Sequence, residues 1–177
     1  ADKASYDDVI QAGSGLAALA VPARGEPAYA PTVVADKVAG QAIAGSIMAA
    51  LLKRERGGGG STIEVPMFET MVEFAFIEHM AGFAFEPPLG PPVFSRVTNA
   101  HRRPYRTKDG HACILPYSDR NWRDFFHFTG RTEFADDPRF ATLPERVLHI
   151  EELYALVAEE ARKRTTEEWI AFCDEAS

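Results

Sequence analysis

The chain is short of cysteine, of positive charge and of long apolar runs, and each shortage excludes something. Cys113 and Cys173 are the two cysteines in 177 residues, far apart and in no motif. No disulfide framework is expected, and a reducing compartment is implied. Lys and Arg number 19 against 26 Asp and Glu, for a formal charge of −7, which argues against nucleic acid as a partner. A small anionic ligand is not excluded, because local fields can oppose the net charge. The longest apolar stretch, residues 38–52, is broken by Gln41 and Ser46 and is shorter than the roughly 20 residues that span a bilayer. The opening "ADKASYDD" has neither a basic n-region nor an apolar h-region, so no signal peptide is read there. A soluble, cytoplasmic protein with no membrane segment is expected. His79, His101, His111, His127 and His149 keep no metal-ligand spacing with Cys or carboxylates, and no metal is expected.

What is present, 46% hydrophobic and 25% charged residues, is a globular balance, enough for one ordinary domain or two small ones. "YDDVIQAGSGLAALA" (6–20) reads as a short helix with a turn at Gly13–Gly15, and "VPARGEPAYAPT" (21–32), with three prolines and a glycine, reads as a loop. A helix follows from about Asp36 to Arg56. Residues 62–65 are β-like, Pro66 ends that strand or starts the next helix, and 67–85 read as a mostly buried helix. "EPPLGPPVFS" (86–95) holds four prolines in ten residues and is the best candidate for a domain boundary. Beyond it, "PYRTKDGHACILPYS" predicts a hairpin turning at Lys108-Asp109-Gly110. "DRNWRDFFHFTG" predicts a helix capped at Ser118 or Asp119 and stopped by Gly130. A long amphipathic helix is predicted over 144–164, with Val147, Ile150, Tyr154 and Val157 in helical register, and a last one capped at Thr165 or Thr166, with Glu168 or Glu167 on the next turn. The lack of an initiator Met and the ending "EEWIAFCDEAS" suggest a piece of something larger.

Three features carry candidate chemistry. The helix after Asp36 is built of small residues, and Gly40 and Gly45 within it each cost about 1 kcal/mol of helix stability relative to Ala. Close packing of a neighbour or a cofactor is the simplest offset. Asp36 falls at the N-cap or in the first turn, where unpaired N–H groups and the positive end of the helix dipole lie. It is either a cap or a carboxylate nucleophile with N–H donors nearby for an oxyanion, and periodicity does not separate the two. "GGGG" (57–60) lacks the Lys-Ser/Thr of a phosphate loop and follows a helix, so it reads as a C-cap and turn. "AHRRPYR" (100–106) is a basic cluster in an acidic chain, either a solvated turn or an anion contact.

The order of these motifs resembles the family III CoA-transferases, also called the CaiB/BaiF family. The matching stretches are "YDDVIQAGSGL", Asp36 before its small-residue helix ending "AALLKRERGGGG", "IEVPMFETM", "PYRTKDGHACI", "NWRDFF", "DDPRFATLPERVLHIEELYALV" and "RTTEEWIAFC". The resemblance implies an α+β chain, a mostly helical fragment of an α/β enzyme. Residues 1–86 would be the end of a Rossmann-like large domain carrying the catalytic helix, and 87–177 a small α+β domain. It implies that Asp36 is the catalytic aspartate, that CoA passes from an acyl-CoA to a carboxylic acid through aspartyl anhydride and thioester intermediates, and that Tyr6, Gln11 and Arg102 contact coenzyme A. It also implies an interlocked homodimer for the whole protein, with this fragment inactive alone. The family's racemases pair the aspartate with a histidine; Tyr6 stands at the matching position, and a tyrosine, with its pKa near 10, is a poor base for an α-proton. A racemase-like isomerase and a non-catalytic assembly or binding fragment are the competing readings.

Overall fold

A computed structural model describes residues 5–176. They form two compact units, one running up to Thr98 and the other starting at Asn99. The proline-rich segment stays with the first unit: the Leu89 N–H donates to the Gly82 carbonyl (2.9 Å) and the Phe94 N–H to Nδ1 of the buried His79 (3.2 Å).

The first unit contains helices α1 (Asp7–Gly13), α2 (Val21–Arg24), α3 (Val34–Lys53), α4 (Met67–His79) and α5 (Ser95–Thr98). α1 ends where Gly15 takes φ 85°, a left-handed conformation that glycine adopts without a Cβ clash. The chain continues into a 3₁₀ turn over Leu16–Ala20. α2 lies within the predicted loop, because Pro22 suits the first turn of a helix and Gly25, at φ 80°, ends it. α1, α3 and α4 pack around Ile10, Ala35 and Met71.

Three sequence expectations fail in this unit. Residues 59–66 are neither helix nor strand, since a strand needs a ladder partner and none is present among the described residues. α4 is not mostly buried: Met71, Ala75 and His79, four residues apart, form its covered stripe, while Phe74 and Ile77 are exposed. Gly40 and Gly45 are not packed against a neighbour among the described residues, because a Cβ built on either meets nothing within 4 Å.

The second unit holds the hairpin β1 (Tyr105–Arg106) and β2 (His111–Ala112), then α6 (Asp119–Thr129), α7 (Leu143–Leu148), α8 (Ile150–Ala161) and α9 (Thr166–Glu175). The strands are antiparallel, with Tyr105 opposite Ala112 and Arg106 opposite His111. Its core is aromatic: Trp122, Phe125, Phe126, Phe140, Tyr154 and Trp169 are all buried. The Trp169 indole N–H is satisfied by the Ala161 carbonyl at 3.1 Å. α6 starts with a capping box between Ser118 and Asn121 and stops at Gly130, φ 76°. The helix predicted over 144–164 is two helices, broken at His149 (φ −112°, ψ 21°). α7 is pinned separately by the buried Arg146, which donates to the Phe140 carbonyl (2.9 Å) and pairs with Asp119. α9 has two caps. Thr165 and Glu168 form a capping box, and the hairpin-turn residue Asp109 accepts from the Thr166 N–H at 2.8 Å.

Candidate active site

Asp36 sits in the first turn of α3, but it does not cap it. Val33 holds the N-cap position and offers no side-chain acceptor. The cap is Asp7, brought from α1: its Oδ1 accepts from the Ala35 N–H (2.7 Å) and the Asp36 N–H (3.3 Å). These are the second and third helical positions, which an N-cap side chain ordinarily serves. The Val34 N–H, at the first helical position, donates to the Thr32 carbonyl (2.8 Å), and the Lys37 N–H makes the first intrahelical bond, to the Val33 carbonyl (3.3 Å). The N–H groups of the first three helical positions, an expected supply for an oxyanion, are therefore bonded within the chain. The carboxylate of Asp36 is exposed, and among the described residues no hydrogen bond or ion pair reaches it.

Gln11 holds Asp7 in place. One turn along α1 from Asp7, it is fully buried. Its Nε2 donates to Asp7 Oδ2 (2.5 Å) and, more distantly, to the Thr32 carbonyl (3.5 Å), while its Oε1 accepts from the Ala30 N–H (2.9 Å). The amide thus ties α1 to the segment that leads into α3. Burial pushes the Asp7 carboxyl up, but the hydrogen bonds from Gln11, Asp36 and Ala35 and the nearby Lys37 charge outweigh it and hold the group below the usual carboxylate range.

The expected site residues are thus unequally placed. Asp36 and Gln11 are joined through Asp7, with both ends of the Gln11 amide engaged inside the chain. Tyr6, immediately before α1, is 75% exposed. Arg102 is exposed in the second unit, its own N–H donating to the Asn99 carbonyl (3.1 Å). Sequence reasoning passed over Asp7. The available signal was the i, i+4 spacing of Asp7 and Gln11, which puts a carboxylate and an amide on one helix face.

The chain is similar to proteins of known family. The chain is 27% identical to the probable fatty acyl-CoA transferase Rv3272 of Mycobacterium tuberculosis, over 93% of this chain and 44% of that protein. A crystal structure of that protein superposes with a TM-score of 0.75 at 25% identity, covering 98% of this chain and 45% of the other. The succinate–glutarate CoA-transferase of Agrobacterium fabrum is 28% identical over 98% of this chain and 44% of its own length. A CaiB/BaiF family protein from Brucella suis has a TM-score of 0.69 at 25% identity, covering 96% of this chain and 45% of that one. The chain therefore spans less than half the length of these relatives. A sequence profile described as CoA-transferase family III matches residues 1–177, and the chain belongs to that family.

Proposed function

We propose that Asp36 is the nucleophile of a CoA-transferase that moves CoA from an acyl-CoA to a carboxylic acid. The observation that carries this reading is the division of labour at the start of α3. Asp7 takes the capping hydrogen bonds, and Asp36 keeps an exposed carboxylate that no donor among the described residues ties down. A carboxylate free of such donors keeps its lone pairs available for attack.

In the first step an Asp36 oxygen adds to the thioester carbonyl carbon. The C–S bond breaks, CoA leaves as thiolate, and a mixed anhydride forms. The thiolate then attacks the aspartyl carbonyl carbon of the anhydride, releasing the donor carboxylate and leaving Asp36 as a CoA thioester. The acceptor carboxylate attacks that thioester, expels the thiolate and forms a second anhydride. Thiolate attack on its acyl carbon releases the new acyl-CoA and restores Asp36. Each addition places an oxyanion on a tetrahedral carbon. Its donors come from outside the first turn of α3, whose amides are already bonded.

Gly40 lies one turn beyond Asp36 on the same helix face, and the space over it is open. That face fits the close approach of an extended chain such as the pantetheine arm of CoA. In this reading the unit up to Thr98 ends a Rossmann-like large domain, the unit from Asn99 forms the small domain, so that their boundary lies beyond the expected residue 86, and the remainder of the cytoplasmic enzyme, an interlocked homodimer, covers the apolar side chains exposed on α3 and α4. Tyr6, Gln11 and Arg102 then act around the CoA site, Gln11 by holding Asp7.

The test is peptide mass spectrometry on the full-length parent after incubation with a panel of acyl-CoAs, with Asp36→Ala as the control. A CoA adduct on the Asp36 peptide, absent from the control, is the expected result. No adduct with any donor, together with α-proton exchange in deuterated water, overturns the transferase reading in favour of an isomerase.

A further inference from the structure

We propose that the second unit carries an anion site for a phosphate-class group, built by Arg103, Arg106 and Arg162 with His111. It goes beyond the Asp36 chemistry and does not depend on it. These four side chains line one cavity of about 230 Å³, and no carboxylate lines it.

Each cation is put there by a separate structural feature. Arg103 precedes Pro104, whose ring limits the backbone of both residues. Arg106 and His111 are direct cross-strand partners on the exposed face of the hairpin, opposite to the buried Tyr105. Arg162 follows Ala158 by one turn at the end of α8. The helix dipole accounts for a cation at that C-terminus, but not for Arg103 and Arg106.

Several other cations of the unit have acidic partners, although Arg102, Lys108 and Arg123 have none among the described residues. Arg120 pairs with Asp124, Arg131 with Glu159 and Glu160, Arg139 with Asp137 and Glu152, and Arg164 with Glu160. Among the described residues Arg103, Arg106 and Arg162 have no ion pair. Three guanidiniums gathered without a counter-charge repel one another, and a bound anion removes that repulsion. Guanidinium forks match phosphate oxygens in pairs. A phosphoryl group offers three oxygens and up to two negative charges to several forks, against the two oxygens and single charge of a carboxylate. Free polyphosphate and the phosphates of CoA share this chemistry.

The test is calorimetric titration of the purified chain at low ionic strength with inorganic pyrophosphate, CoA, dephospho-CoA and, as the carboxylate control, glutarate. Pyrophosphate is expected to bind saturably and to weaken with added salt. Arg103→Gln and Arg106→Gln are each expected to raise Kd roughly tenfold, the loss of about one charge-assisted hydrogen bond. Trp122 and Trp169 emission reports whether each variant keeps its fold, and Arg106→Lys, which retains the charge without the fork, is expected to lose less than Arg106→Gln. CoA binding tighter than both dephospho-CoA and pyrophosphate assigns the site to the CoA 3′-phosphate. Equal binding of all three assigns it to a free phosphate anion. Absence of saturable pyrophosphate binding, indifference of binding to the folded Gln variants, or glutarate binding as tightly as pyrophosphate overturns the proposal.

Discussion

Replacing Asp7 by Asn tests the cap of α3, because the hydrogen-bond polarity around it is fixed from three sides. Asp7 Oδ1 faces two N–H donors and Oδ2 faces the Gln11 amide NH₂. An Asn can serve the two N–H groups with its oxygen, but its own NH₂ then meets that of Gln11. Turning the Gln11 amide over only moves the conflict, since its nitrogen would face the Ala30 N–H. One buried donor is left without an acceptor, at a cost of about 1–3 kcal/mol. Asp7→Ala loses the cap as well, a further ~1 kcal/mol. Adding Gln11→Glu to Asp7→Asn restores an acceptor toward both the new amide and Ala30 N–H, so the double variant should recover at least about 1 kcal/mol relative to Asp7→Asn alone.

Tryptophan emission will not read this, since Trp122 and Trp169 both lie in the second unit. The suitable assay is hydrogen exchange at the Ala35 and Asp36 amides, with urea unfolding followed by far-UV dichroism. Protection at both amides should fall in Asp7→Asn and return in part in the double variant. Protection of Ala35 unchanged in Asp7→Ala would refute the capping argument outright. The pH dependence has a definite sign. The folded-state carboxyl of Asp7 titrates below its unfolded value of about 3.9. Its stabilising contribution is therefore complete above that pH and fades as the pH falls through the folded value. Asp7→Asn should abolish that part of the acid sensitivity of α3.

Two further predictions follow from the same geometry. Gly40→Ala meets no neighbour and should stabilise α3 by about 1 kcal/mol, while in the full-length enzyme it should raise KM for acyl-CoA if the face beside Asp36 receives the pantetheine chain; unchanged kinetics would remove Gly40 from the site. Thr165→Ala breaks the capping box of α9 and should cost about 1 kcal/mol, read as an earlier urea midpoint in the emission of Trp169, which packs in the first turns of that helix.

How far the sequence could be read depended on the range of each signal. Ser118 with Asn121, Gly130 at the end of α6, Thr165 with Glu168, and the Lys108-Asp109-Gly110 turn were legible because every partner lies within a few residues. Residues 62–65 carry β-like side chains, yet a strand also requires a neighbouring ladder. The apolar run 67–85 was read as buried because apolar composition states what a surface needs, not which chain covers it. Phe74 and Ile77 are exposed within a chain that spans under half the length of its relatives. The break at His149 was hidden because helical spacing continues across it. "AHRRPYR", open from the sequence between a solvated turn and an anion contact, showed only part of its cavity, since His111 and Arg162 reach it from a second strand and a distant helix.

The two least legible features are of one kind. In each unit a carboxylate remote in sequence accepts from the first turn of a helix: Asp7 reaches α3 across 28 residues, and Asp109 reaches α9 across 57. For α9 the contact reinforces a local capping box. For α3 it replaces one, because Val33 has no acceptor to offer. Two explanations of an acid at the tip of α3 were open from the sequence, a cap or a nucleophile. A helix end offers a limited number of unpaired amides, and Asp7 and Thr32 take those of the first three helical positions of α3. Asp36 therefore has no capping work left, and that is the observation on which its proposed role as nucleophile rests.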